Sequence, residues 1–229
     1  MNITTPPNVG HIHITLGDED ALQLLHPKAL LAYQGFPQNR EDKIMDLAGM
    51  YRKKKLVRSR IMGPAELIIG LPPGCLLETI EIPEESDLLF DFRHVLFYSD
   101  GLSMKSKVQT IKNVWITREW VRMKFKGPGQ LGLLSSGALA TLQLDPERPL
   151  FVEAGSLVAY PENAAIKLSV YGNQLASQHM NVQWEITGRG PVLMQTGFRD
   201  PQLDEQIHKD GIVRRALREL LPFGGVYIR

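Results

Sequence analysis

The sequence predicts an all-β protein in which one arrangement of antiparallel strands is used three times in pseudo-threefold order, followed by a C-terminal helix. Three observations predict it. Gly-Pro occurs at Gly63-Pro64, Gly127-Pro128 and Gly190-Pro191, in steps of 64 and 63 residues. An apolar run ending in tyrosine occurs at Ala29–Tyr33, Val95–Tyr98 and Leu157–Tyr160, and each tyrosine lies 30, 29 or 30 residues before the next Gly-Pro. Between these landmarks apolar and polar residues alternate with the period of two that a half-buried strand requires.

A glycine-led pair of strands precedes each tyrosine run, from Gly10, Gly74 and Gly137. The first pair has no Gly-Pro segment before it, and the last Gly-Pro segment has no pair after it. This predicts a circular arrangement. Repeats at approximately 34–98, 99–160 and 161–203 make one domain spanning 1–229, and residues 10–33 complete the third repeat. Closure of that kind leaves no open sheet edge at the seam.

The strands follow from their patterns. Ile80 and Ile82 flank Glu81, and Val182, Trp184 and Ile186 alternate with Gln183 and Glu185. In Val121-Arg122-Met123-Lys124-Phe125-Lys126 the apolar residues are expected inside and the basic ones outside. Turn clusters such as Leu71-Pro72-Pro73-Gly74, Ser135-Ser136-Gly137 and Asp145-Pro146-Glu147 separate the strands. Over 204–221 the spacing of Ile212, Val213, Ala216, Leu217, Leu220 and Leu221 predicts a helix that Pro222 ends. A shorter helical or irregular connection is expected from Met45 to Arg52.

Composition narrows the function classes. Of 229 residues, 43% are apolar, enough for a packed core. A net charge of +1 provides no global field for nucleic acid or an anionic membrane. Cys75 is the only cysteine, so no internal disulfide forms and a reducing compartment is expected. The start Met-Asn-Ile-Thr-Thr-Pro-Pro is not expected to act as a signal peptide, and no run of about 18 apolar residues occurs in the sequence. A cytoplasmic protein is the expectation.

The stretch Gly127-Pro128-Gly129-Gln130-Leu131-Gly132-Leu133-Leu134-Ser135-Ser136-Gly137, continuing to Pro149-Leu150-Phe151-Val152-Glu153-Ala154-Gly155-Ser156-Leu157-Val158-Ala159-Tyr160, resembles the "altered inheritance of mitochondria" family, number twenty-four in that series. Its members carry a Gly-x-Gly segment, a Ser-Gly turn and a Gly-x-Leu-Val-Ala run. Gly129 stands at one of the three Gly-Pro sites, with Ala65 and Val192 at the others. The resemblance implies a double-stranded β-helix fold similar to the tryptophan-sensing RNA-binding attenuation protein. It implies no catalytic residue. Fungal relatives are linked to mitochondrial inner-membrane organisation, and bacterial relatives have no settled activity.

Several residues are candidates for chemistry. His11 and His13 sit two apart, so both imidazoles could meet one metal ion on one strand face, with Asp18 or Glu19 nearby. Ile12 and Ile14 claim the apolar face, which turns the histidines toward solvent. The run Arg52, Lys53, Lys54, Lys55, Arg58 and Arg60 places six cations in nine residues, a candidate anion-binding stripe with Trp120 available for stacking. Arg118, Arg122, Lys124 and Lys126 extend it in the second copy, but Gln183 and Glu185 interrupt it in the third. Arg214, Arg215 and Arg218 give the expected helix a basic side that suits an acidic membrane surface, but Asp210 and Glu219 dilute the charge, and a helix packed on the core is the favoured reading.

Cys75 is expected to be a buried structural thiol. Asp91 and Glu153 recur at one repeat position, where the first copy has His26, which suggests a structural role for both carboxylates. No cofactor is implied by any motif. The expectation is a non-enzymatic scaffold or interaction protein that self-associates through its helix and exposed strands. The alternatives are a nucleic-acid or anionic-surface binder and a metal-dependent cupin-like enzyme.

Overall fold

Alternation decides which face each strand buries. In β2 (His11–Leu16) the side chains of Ile12, Ile14 and Leu16 are buried, while His11 and His13 face outward. In β7 (Ala65–Gly70) Ala65, Leu67 and Ile69 are buried and Glu66 and Ile68 exposed. The structure, a computed structural model, describes residues 1–5, 10–45, 56–108, 121–171 and 181–197. Its regular elements are antiparallel strands and three-residue 3-10 turns among the described residues. Both the short connection expected after Met45 and the helix expected over 204–221 fall on residues outside those described, apart from Met45 itself.

One pairing pattern recurs three times along Met1–Gly197. The first module contains β2, β3 (Ala21–Leu24), β4 (Leu30–Gly35), β5 (Arg40–Met45), β6 (Leu56–Met62) and β7. Its strands pair in the orders β2-β7-β4 and β5-β6-β3, and β1 (Asn2–Thr4) adds to the outer side of β2. The second module repeats this with β8 (Cys75–Ile82), β9 (Leu88–Asp91), β10 (Val95–Ser99), β11 (Ser103–Val108), β12 (Val121–Lys126) and β13 (Gly129–Ser136). The orders there are β8-β13-β10 and β11-β12-β9. The third uses β14 (Leu139–Leu144), β15 (Leu150–Glu153), β16 (Leu157–Pro161), β17 (Ala165–Tyr171), β18 (Asn181–Thr187) and β19 (Gly190–Gln195), in the orders β14-β19-β16 and β15-β18-β17.

Each module's two half-sheets enclose an apolar core. Ile12, Ile14, Leu67 and Ile69 meet Leu22, Leu24 and Ile61 in the first. Ile82, Leu131 and Leu133 meet Phe90, Met123 and Phe125 in the second. Leu144, Leu157 and Val192 meet Val152, Trp184 and Ile186 in the third. Neighbouring modules share their sheets: β3 pairs with β10, and β9 with β16.

The phase of the repeat differs from the sequence expectation. Among the described residues, the strands of 10–33 do not pair with those of the third repeat. They pair with β1, β6, β7 and β10, so the modules run 11–70, 75–136 and 139–195. Antiparallel strands joined by short connections pair locally, and β6 and β7 lie within the same module as β2 to β4.

The three Gly-Pro sites do one job. At each, the chain leaves one half-sheet and enters the facing one, from β6 to β7, β12 to β13 and β18 to β19. Gly127 holds φ +106° at its corner, where a Cβ would lie 2.7 Å from the Gly101 carbonyl oxygen. Only glycine fits such a bend without strain.

Gly132 serves the core instead. It pairs across strands with Phe97, whose ring would lie 2.4 Å from a Cβ at that position. Glycine normally weakens a strand, so Gly132→Ala in an open setting would be neutral or helpful. Here Phe97 is fully buried and has no room to withdraw. Gly132→Ala is expected to lower stability by about 1–3 kcal/mol in urea denaturation.

Candidate functional site

The polar residues that recur with the repeat gather where modules join. At the first seam Leu22, Gln23 and Leu24 of β3 lie opposite Ser99, Tyr98 and Phe97 of β10. Arg58 of β6 donates to the Tyr98 hydroxyl at 3.0 Å. Arg60 donates to both oxygens of Asp100, at 3.2 and 2.7 Å, and Gln23 Nε2 donates to the same carboxylate at 2.7 Å. The hydrogen bond from Arg60 holds the Asp100 carboxyl below its usual range. The Tyr98 hydroxyl is pushed up by burial, although Arg58 pulls it the other way.

The second seam repeats the scheme with different chemistry. Leu88, Leu89 and Phe90 of β9 face Pro161, Tyr160 and Ala159 of β16. Arg122 of β12 places its guanidinium 5.4 Å from the centre of the Tyr160 ring, a cation–π arrangement. Lys124 pairs with Glu162, which Lys107 also approaches at 3.5 Å. The hydrogen bond from Lys124 draws the Glu162 carboxyl down. Asp100 and Glu162 each stand two residues beyond the seam tyrosine, and Arg58 and Arg122 are 64 residues apart, the same step as Gly63 to Gly127. The period therefore encoded these partners, although no motif announces them.

Arg122 corrects the alternation expected for its strand. Met123 and Phe125 are buried as expected, yet Arg122 is 0% exposed. Asp91, 1% exposed, lies 3.9 Å from its Nη1. Asp91 also accepts from the Arg93 backbone N–H at 3.0 Å and from its side chain at 3.0 and 2.5 Å, capping the turn Phe92–His94. Glu153 at the matching position accepts from the Ser156 hydroxyl at 3.0 Å. Both carboxylates therefore hold the turn that leads into the tyrosine-ended strand. His26, the first module's counterpart, is half-buried beside Phe92, and burial draws its pKa down. His94 is lowered by the same cause, and its Nδ1 lies 2.8 Å from the Leu134 carbonyl oxygen.

The candidate residues of the sequence separate. His11 and His13 share the outward face of β2, and His13 Nε2 lies 3.5 Å from Glu66. Among the described residues no three His, Cys, Asp or Glu side chains are grouped to hold a metal ion. Arg52, Lys53, Lys54 and Lys55 lie outside the described residues, as do Arg118 and Trp120. Arg58 and Arg60 serve the first seam, where they line a hollow of ≈ 230 Å³ with Gln23, Glu41, Lys43 and Asp100. Cys75 is half-buried rather than fully buried, at the start of β8, which is an edge strand of its sheet among the described strands. No helix among the described residues is long and apolar enough to cross a membrane.

Serial antiparallel sandwiches that share sheets, with ionic and aromatic ties at each join, define a modular β protein. The family model described as "Mitochondrial biogenesis AIM24" matches residues 9–197, and the chain belongs to that family. The fold is similar to the crystal structure of protein SPYM3_0169 from Streptococcus pyogenes, with a TM-score of 0.65 over 90% of this chain and 96% of that one, at 14% identity. No curated protein matches the chain.

Proposed function

We propose that the chain is a non-enzymatic scaffold that acts through the edges and outer faces of its sheets. One observation carries this reading. The side chains with most capacity for chemistry hold modules together: Arg58 and Arg60 clasp Tyr98 and Asp100, and Arg122 lies against Tyr160 and Asp91. A catalytic carboxylate or cation has to present itself to a substrate, whereas Asp91 and Arg122 are buried. The family description names a cellular process and no reaction.

The test is turnover by the purified chain on hydrolase, lyase and metal-supplemented oxidase substrates. No rate above a protein-free blank is expected. A reproducible rate that vanishes in His13→Ala or His94→Ala, each with an unchanged circular-dichroism spectrum, overturns the scaffold reading.

A further inference from the structure

The hollow at the first seam is short of one negative charge. It is lined by Gln23, Glu41, Lys43, Arg58, Arg60 and Asp100, three cations and two carboxylates among them. Arg60 is matched by Asp100 at 2.7 Å and Lys43 by Glu41 at 3.0 Å. Arg58 is the cation left over. Its Nη1 donates to the buried Tyr98 hydroxyl at 3.0 Å, which fixes the guanidinium, but among the described residues no carboxylate forms an ion pair with it.

The second seam shows what the first lacks. Lys43 lies directly opposite Arg58 across β5 and β6, and Lys107 directly opposite Arg122 across β11 and β12. Like charges facing each other on paired strands repel. At the second seam two carboxylates relieve the repulsion: Glu162 lies 3.5 Å from Lys107, and Asp91 lies 3.9 Å from Arg122. At the first seam Asp100, the counterpart of Glu162, is held by Arg60 and Gln23, and His26 stands at the turn cap that Asp91 fills. An anion from outside the chain would complete the set.

We propose that this hollow binds a phosphate monoester of a small polyol, with the phosphate between Lys43 and Arg58. A phosphate group accepts from a guanidinium fork and an ammonium at once. Lys43 and Glu41 are each about half exposed, so their pair is weak and Lys43 changes partner at little cost. Glu41 is then free to accept from a hydroxyl of the ligand. The volume decides against phosphate alone. At about 30 Å³ for each water, ≈ 230 Å³ holds about eight waters, more than a lone phosphate fills. Every lining side chain is polar or charged, so the substituent is hydrophilic. Gln23, 8% exposed, also keeps an Oε1 with no hydrogen-bond partner, so the polar set is unfinished on the acceptor side as well.

The experiment is isothermal titration calorimetry on the full chain at low ionic strength. Glycerol 3-phosphate is expected to bind with one-to-one stoichiometry. Arg58→Gln is expected to weaken it at least about tenfold, and Lys43→Gln about threefold to tenfold. Lys43 is 54% exposed, so its substitution tests the site even where Arg58→Gln fails to fold. Lys167→Gln, at a 70% exposed position of the third module, controls for unspecific attraction and is expected to leave the affinity unchanged. Inorganic phosphate and glycerate, which carries a carboxylate in place of the phosphate, are expected to bind at least about tenfold more weakly than the ester. No saturation by about 10 mM glycerol 3-phosphate overturns the proposal. So does an affinity untouched by Lys43→Gln, or lowered equally by Lys167→Gln. Inorganic phosphate, glycerate or a single-stranded oligonucleotide binding as tightly as the ester overturns the ligand class. The site is independent of the scaffold reading: absent binding leaves that reading standing, and turnover in the assay above rejects it without bearing on the hollow.

Discussion

Replacing Asp91 by alanine is expected to cost about 3–5 kcal/mol of folding stability in urea denaturation. Asp91 and Arg122 are 1% and 0% exposed, so the substitution removes the carboxylate next to a guanidinium that water does not reach. It also removes the cap of the turn Phe92–His94 and the two side-chain hydrogen bonds from Arg93. Leaving one member of a buried ionic cluster behind is more costly than removing the cluster, so the same change in an Arg122→Met background costs less. A cost below about 1 kcal/mol, the size typical of an exposed pair, would show that the cluster does not hold the second seam.

The same group sets an acid limit. Burial pushes the Asp91 carboxyl up, but the hydrogen bond from Arg93 and the charges of Arg122 and Arg93 outweigh it, and the net displacement is downward. A carboxyl whose folded pKa lies below its unfolded value of about 3.9 stabilises the fold above that value. The contribution falls away as pH drops through the lower, folded pKa. Denaturation measured along an acid series should therefore lose stability below about pH 4, with a shallower slope in Asp91→Ala.

Gly63→Ala is the second large effect, expected to lower stability by about 3 kcal/mol or more. A Cβ there would lie 1.8 Å from the Gly17 carbonyl oxygen and 3.1 Å from that of Leu16. Both obstacles are main-chain atoms at the end of β2, and the Gly63 carbonyl accepts from Asn39 Nδ2 at 3.1 Å on the other side. The end of β2 cannot yield without disturbing its pairing with β7, where Leu16 lies opposite Ala65. Gly74→Ala is the comparison: no atom lies within 4 Å of a Cβ there, so the cost reflects only its φ of +75°. An equal loss at both positions would mean that the corner's close approach is unimportant.

Much of this architecture could be read from residue order, and the failures have physical causes. The Gly-Pro corners and the tyrosine runs were visible because both recur at one spacing. Their phase was not, since a cyclic order of landmarks has no intrinsic beginning. Strands 10–33 could equally have been assigned to either end, until their pairing with β6 and β7 decided it. Arg122 departs from the expected alternation for a related reason. Alternation reports which face of a strand is apolar, not what another strand lays over the polar face, and here Tyr160 and Asp91 lie over it. The seam partners Arg60–Asp100 and Lys124–Glu162 are 40 and 38 residues apart, too distant for any local motif.

Because β10 and β16 each serve two apolar interiors at once, no module can melt by itself. Unfolding the first would strip the covering from Leu96 and Phe97, and unfolding the third would bare Leu89. Such mutual dependence turns a tandem array, which might have come apart in stages, into a body that holds or fails as a whole.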